Sequence, residues 1–127
     1  STASRILDRI KRISSENPSF NTNRFIFSGG CVLAVLGLRD AGDIDVFHPH
    51  YISEKNLPEG IDSHNCHCIS LGINGTWHLF LNPSTYFTWQ GLKFLSPSLL
   101  LFLKLNRMQG IREKDKEDIR LIIKYLS

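Results

Sequence analysis

Phe25-Ile26-Phe27-Ser28-Gly29-Gly30, then Cys31-Val32-Leu33-Ala34-Val35-Leu36-Gly37, then Asp43-Ile44-Asp45-Val46-Phe47, is the stretch on which the fold turns. Residues 24–27 read as a short buried strand. Ser28-Gly29-Gly30 turns the chain, and the apolar segment that follows, closed by Gly37, is long enough for about two helical turns. Residues 43–47 alternate and run into His48-Pro49-His50, so they form a second strand. The order is strand, glycine turn, helix, strand.

On the N-terminal side, Ile6, Leu7, Ile10 and Ile13 recur at helical spacing among Arg5, Asp8, Arg9, Lys11 and Arg12, which predicts an amphipathic helix over 4–15. Asn17-Pro18-Ser19 ends it, because a proline disfavours helical geometry in the residue before it. On the other side, 51–60 is polar and contains Pro58 and Gly60, as a surface loop does. Residues 67–71 and 76–81 flank Asn74-Gly75, a strong hairpin signal, so a β-hairpin is expected there.

Residues 92–95 read as an edge strand. Ser96-Pro97 then supplies an N-cap and a proline at the first helical position of a helix that runs to about residue 108 and stops at Gly110. Leu99 to Leu103 cover nearly every side of it, which predicts a core helix enclosed by other elements. The last helix, 113–126, carries Ile119, Ile122, Ile123 and Leu126 on one stripe, with Asp115, Lys116, Glu117, Arg120 and Lys124 mostly elsewhere. It is expected to close the domain from outside.

With 127 residues, 42% hydrophobic and 21% charged, the chain is expected to form one domain over 1–127. Ser1 stands where a start methionine would, which marks a processed chain or a segment of a longer protein. The longest apolar run, Leu99 to Leu103, is too short to span a bilayer, and no secretory signal pattern is present. Cys31, Cys66 and Cys68 are odd in number and lack a disulfide framework's spacing, so a reducing, cytoplasmic setting without membrane contact is expected. A net charge of +3 accommodates a polyanionic ligand without requiring one.

Carboxylates at i and i+2 on a strand point to one face, so Asp43 and Asp45 can present oxygens to one point while Ile44 and Val46 enter the core. Magnesium is commonly held by one or two carboxylates together with substrate phosphates. Ser28-Gly29-Gly30 before a helix supplies free backbone N–H groups, and its glycines let a phosphate approach closely.

These residues, with Gly37-Leu38-Arg39, resemble the nucleotidyltransferase superfamily, particularly its small, minimal members. The tail is similar too: Leu95-Ser96-Pro97-Ser98-Leu99-Leu100, Lys104, Arg107 and Lys114-Asp115 through Asp118 resemble the C-terminal helices of that family. The likeness spans about residues 24–126. It implies an α+β fold, a nucleotidyltransferase-like mixed β-sheet flanked by helices with two helices at the C-terminus. It also implies transfer of a nucleoside monophosphate from a nucleoside triphosphate such as ATP to a protein, small-molecule or RNA acceptor.

By matching position, Asp43 and Asp45 would hold Mg2+ (or Mn2+), and Ser28, Gly29, Gly30, Arg39 and Lys104 would bind the nucleotide. Active members place a third carboxylate on a later strand; here His78 of Gly75-Thr76-Trp77-His78-Leu79-Phe80 stands in that place and would be the third catalytic residue. Glu59 and Asp62 read as solvated loop charges. His64, Cys66, His67 and Cys68 lack two separated ligand pairs, and neighbours on a strand point to opposite faces, so no zinc site is expected. Two readings follow: a metal-dependent nucleotidyltransferase, or a catalytically degenerate module of that fold acting through a protein partner, as an antitoxin or as part of a larger assembly.

Overall fold

The structure, a computed structural model, describes all residues 1–127. Strand β1 (Ile26–Ser28) leads through Gly29 into helix α2 (Gly30–Val35), after an N-terminal helix α1 (Thr2–Glu16). Strand β2 (Ile44–Phe47) returns antiparallel beside β1, with Ile26 opposite Phe47 and Ser28 opposite Asp45. The order expected of this stretch is the order observed.

A third strand, β3 (Ile61–Ser63), pairs parallel to β2. Strands β4 (Tyr86–Trp89) and β5 (Leu92–Leu95) complete a five-stranded mixed sheet in the order β3-β2-β1-β5-β4. Helices α4 (Pro97–Leu105) and α5 (Glu113–Leu126) end the chain, so the domain is α+β with two C-terminal helices. No helix is long and apolar enough to cross a membrane.

Helix α1 is fixed at its start by Ser1, which accepts from the Ser4 N–H, and it buries Ile6 and Ile10 against α2. Helix α2 in turn packs on β1, β2 and β5. Phe27, Phe47, Phe94, Ile26, Ile44 and Leu95 are fully buried, each large side chain contributing about 1.5–3 kcal/mol of transfer free energy. This apolar sheet centre is the rigid base from which the polar end of β1 and β2 projects.

The hairpin lies elsewhere than expected. Residues 67–71 and 76–81 form no strands: Asn65–Cys68 is a 3-10 turn and Trp77–Leu81 a short helix, α3. The Thr76 hydroxyl donates to the His48 carbonyl at 2.8 Å and its N–H to His50 Nε2 at 3.2 Å, which pulls the chain out of sheet register just after Asn74-Gly75. The actual hairpin joins β4 to β5 through Gln90 and Gly91, both at positive φ (52° and 76°), the signature of a two-residue type I′ turn. Consequently β5 is an interior strand, between β1 and β4, and the expected edge strand is corrected.

Gln90 is the one non-glycine residue at positive φ, a conformation that costs an ordinary L residue about 1–2 kcal/mol and suits asparagine better. Gln90→Asn is expected to stabilise the domain by about 0.5–1 kcal/mol, read as a higher thermal midpoint.

Two readings of the last helices also change. Helix α4 is capped as expected, with the Ser96 hydroxyl accepting from the Leu99 N–H and Pro97 at its start, but it is not enclosed: Phe102 and Leu105 are exposed while Leu100, Leu103 and Lys104 are buried. Helix α5 has the expected bounds, yet it turns Asp115, Asp118 and Ile122 inward and leaves Ile123 and Leu126 exposed. Ion pairing with α4 overrides the apolar stripe.

Candidate functional site

Ser28, at the end of β1, lies opposite Asp45 on β2, and Asp45 lies opposite Asp62 on β3. Directly paired residues on neighbouring strands share a face, so these three side chains form a row across the sheet. Asp43 precedes β2 by one residue and lines the same cleft.

Gly29 sits at φ +59°, where L side chains are strained, and a Cβ there would collide with the Asp45 carboxylate, coming within 3.3 Å of its Cγ. Backbone and space both demand glycine. A Cβ on Gly30 would come 3.1 Å from Arg39 Nη1. The glycine turn is thus held between an acid on one side and a guanidinium on the other, and the acidic strand and the turn share one cavity.

Gly29→Ala is expected to displace the Asp45 carboxylate and to cost about 1–3 kcal/mol, measurable by denaturant unfolding. An unchanged midpoint would show that the turn tolerates a side chain.

The cavity is a cleft of about 760 Å³. Only Leu100 and Leu103 among its twenty lining residues are apolar, so it suits a charged ligand. Asp43, Asp45 and Asp62 form one wall; the facing wall, from α4, α5 and the loop after α2, is cationic.

That cationic wall is built on two buried carboxylates. Asp115, 1% exposed, accepts from Lys104 Nζ at 3.1 Å, Arg107 Nε at 2.6 Å and Arg112 Nε at 2.9 Å. Asp118 accepts from Arg39 Nε and Nη2 at 2.6 and 2.7 Å and lies 3.2 Å from Lys104 Nζ. Burial alone would raise the Asp115 pKa, but the hydrogen bonds from Arg112, Arg107 and Lys104 outweigh it and hold the group well below the usual carboxylate range. Four cations against two carboxylates leave positive charge in excess on this wall, opposite in sign to the Asp43, Asp45 and Asp62 side of the cleft.

Each anticipated site residue now has a place. Ser28, Gly29, Gly30, Arg39, Asp43, Asp45 and Lys104 all line the cleft. Lys104, however, is 5% exposed and tied between Asp115 and Asp118, so it organises the wall; Arg39 and Arg112, about a third and nearly half exposed, are the cations open to a ligand.

His78 is not at the cleft. It lies on α3, stacks on Trp77, hydrogen-bonds Asn74 Oδ1 at 3.1 Å and faces a separate apolar groove of about 380 Å³. Asp62, discounted as a loop charge, is the acid that the sheet brings alongside Asp45. The strand alternation used against His64 and His67 also fails, since Asn65–Cys68 is a 3-10 turn and both imidazoles line the cleft.

His64 Nε2 lies 3.2 Å from Asp45 Oδ1, and its ring packs on His67 with centroids 4.6 Å apart. Burial, and then the neighbouring His64, push the His67 pKa down to about 4, so that ring is neutral at neutral pH. Burial likewise pushes the Cys31 thiol up to about 12, which removes it as a nucleophile.

Whether the acidic wall suits a divalent cation is decided by its donors. No three acidic, histidine or cysteine side chains are gathered closely enough to hold an ion alone. Paired carboxylates completed by ligand oxygens nevertheless match the way magnesium is ordinarily held with a phosphate. The Ser28 hydroxyl, fully buried without a hydrogen-bond partner at the head of the same row, adds an unused polar atom beside the cleft.

Fold and site together define an α+β domain with a two-walled polar cleft, acidic along the sheet and basic along the C-terminal helices. Comparison with family models, curated proteins and solved structures finds no match to the chain.

Proposed function

We propose that the domain is a nucleotidyltransferase-like protein, which binds a nucleoside triphosphate with a divalent cation and passes the nucleoside monophosphate to a protein, small-molecule or RNA acceptor. The observation that supports this reading is the contact of Gly29 with the Asp45 carboxylate, which brings the glycine turn and the paired acids into one cleft.

Asp43 and Asp45 would hold magnesium or manganese. When bound, such a cation neutralises phosphate charge and orients the phosphoryl group for in-line displacement. The chain's own residues do the rest. Gly29 and Gly30 let the backbone approach the phosphates without a side chain intervening. Arg39 and Arg112 face the cleft from the opposite wall and balance the remaining negative charge, while Asp115 and Asp118 fix where those guanidinium groups sit. Asp62, in register with Asp45, would accept the proton of an acceptor hydroxyl.

A second reading, a binding module of the same fold, is favoured by the apolar side chains of Phe102, Leu105, Met108 and Ile111, exposed on α4 and the turn after it, where a partner protein would dock. Calorimetric titration of the whole chain with ATP, GTP, CTP and UTP, with and without Mg2+ or Mn2+, separates the two. Cation-dependent binding of at least one triphosphate is expected; its absence with all four would overturn the enzyme reading in favour of the module.

A further inference from the structure

His64 directly follows β3 and lines the cleft beside Asp45. Its position is rigid: the His64 N–H donates to the Val46 carbonyl at 2.7 Å, continuing the β2–β3 pairing by one residue. Its ring meets the edge of Phe47 at 6.2 Å between centroids and packs on His67 on another side. The imidazole is therefore aimed by its backbone and its neighbours, not by Asp45.

The 3.2 Å approach of His64 Nε2 to Asp45 Oδ1 lacks hydrogen-bond alignment. Two donors that share one ion at bond lengths of about 2.0–2.2 Å sit roughly 2.9–3.5 Å apart, depending on the angle at the metal. The observed separation falls within that span. Ser28, its buried hydroxyl unpartnered, is the register partner of Asp45, so the same spot shows a second sign of a ligand.

We infer that His64 and Asp45 together form a nitrogen–oxygen ligand pair, so that the cleft selects a first-row transition cation over magnesium. An imidazole nitrogen adds affinity for the transition series but is a poor ligand for magnesium, which prefers hard oxygen donors. Ligand phosphate oxygens and water complete the shell. The inference rests on the reading of Asp45 as a cation ligand, and it adds which cation the site is built for.

The test is calorimetric titration of the full chain, carrying Cys66→Ser to remove its exposed thiol, with CoCl2 and, separately, MgCl2, each with a saturating non-hydrolysable ATP analogue present and a protein-free blank subtracted. One equivalent of Co2+ is expected to bind at least ~10-fold more tightly than Mg2+. His64→Gln, which keeps a polar group beside Asp45, is expected to weaken Co2+ binding by about 10- to 100-fold while changing Mg2+ binding less than about twofold. His64→Ala serves as a second variant, with circular dichroism as the check on folding, and the visible spectrum of the cobalt complex should lose its nitrogen ligand-field contribution in both. Co2+ affinity unchanged in both variants, with binding still abolished by Asp45→Asn, overturns this inference and leaves the proposed reaction standing. No cation binding at all, with or without ATP, overturns both.

Discussion

Asp115→Asn is expected to lower the stability of the domain by about 3–5 kcal/mol, the usual cost of removing one partner from a buried ion pair. The carboxylate is 1% exposed and serves Lys104, Arg107 and Arg112 at once, so its loss leaves three cations gathered with no common counter-charge. Lys104 keeps Asp118, which already carries Arg39. Against a total stability of about 5–15 kcal/mol, the melting temperature should fall by about 10–20 °C. A loss of less than about 1 kcal/mol would show that the cluster is no keystone of the fold.

Acid should act on the same cluster. The folded state holds the Asp115 pKa below its unfolded value, so this stabilisation is fully present above the ordinary carboxylate pKa of about 3.9 and is lost as the pH falls toward the depressed folded value. Asp118 is shifted in the same direction: burial opposes the shift, and Arg39 and Lys104 outweigh it. Denaturant midpoints measured from pH 6 down to pH 2 should fall steeply below about pH 4 in the natural chain. Asp115→Asn, which has already lost the group, should show a flatter profile.

The second large effect is expected at Asp45. Asp45→Asn keeps the size of the side chain and removes its charge, so triphosphate affinity in the presence of a divalent cation should fall roughly 100-fold or more, equivalent to about 2.7 kcal/mol. Without the cation the sign reverses: removing a negative charge beside the phosphates should leave binding equal or slightly tighter. Calorimetry in both conditions gives the two numbers. Equal affinity for the natural and variant chains with the cation present would remove Asp45 from the site.

The core of this site was legible in the sequence because its signals are local. Apolar spacing and glycine position are enough to order β1, the turn, α2 and β2, and the two-residue period alone puts Asp43 and Asp45 on one side. The bounds of α5 follow equally from local pattern. What the sequence hid depends on pairing between distant segments.

Asn74-Gly75 carries the stronger hairpin signal, yet the Thr76 bonds to His48 and His50 take that segment out of the sheet; Gln90-Gly91, a weaker signal, makes the turn. Asp115, Asp118 and Ile122 have the i, i+3, i+7 spacing of one helical face, and Lys104 with Arg107 repeats a three-residue step on the preceding helix. That spacing already suits Lys104 and Arg107 to an acidic neighbour such as Asp115; what the apolar stripe obscured is that the pairing is buried and that Asp118 joins it. His64 and His67 stand three apart, and a 3-10 turn repeats every three residues, so their shared side follows from the turn that a strand reading excluded.

Arg39 reaches Asp118 across 79 residues of sequence and also borders Gly30, so one guanidinium belongs to the seam between the loop and α5 and to the ligand's seat. A polyanion seated there would meet a guanidinium that Asp118 already holds in place. Seam and seat are thus built on the same side chain, so weakening one should loosen the other.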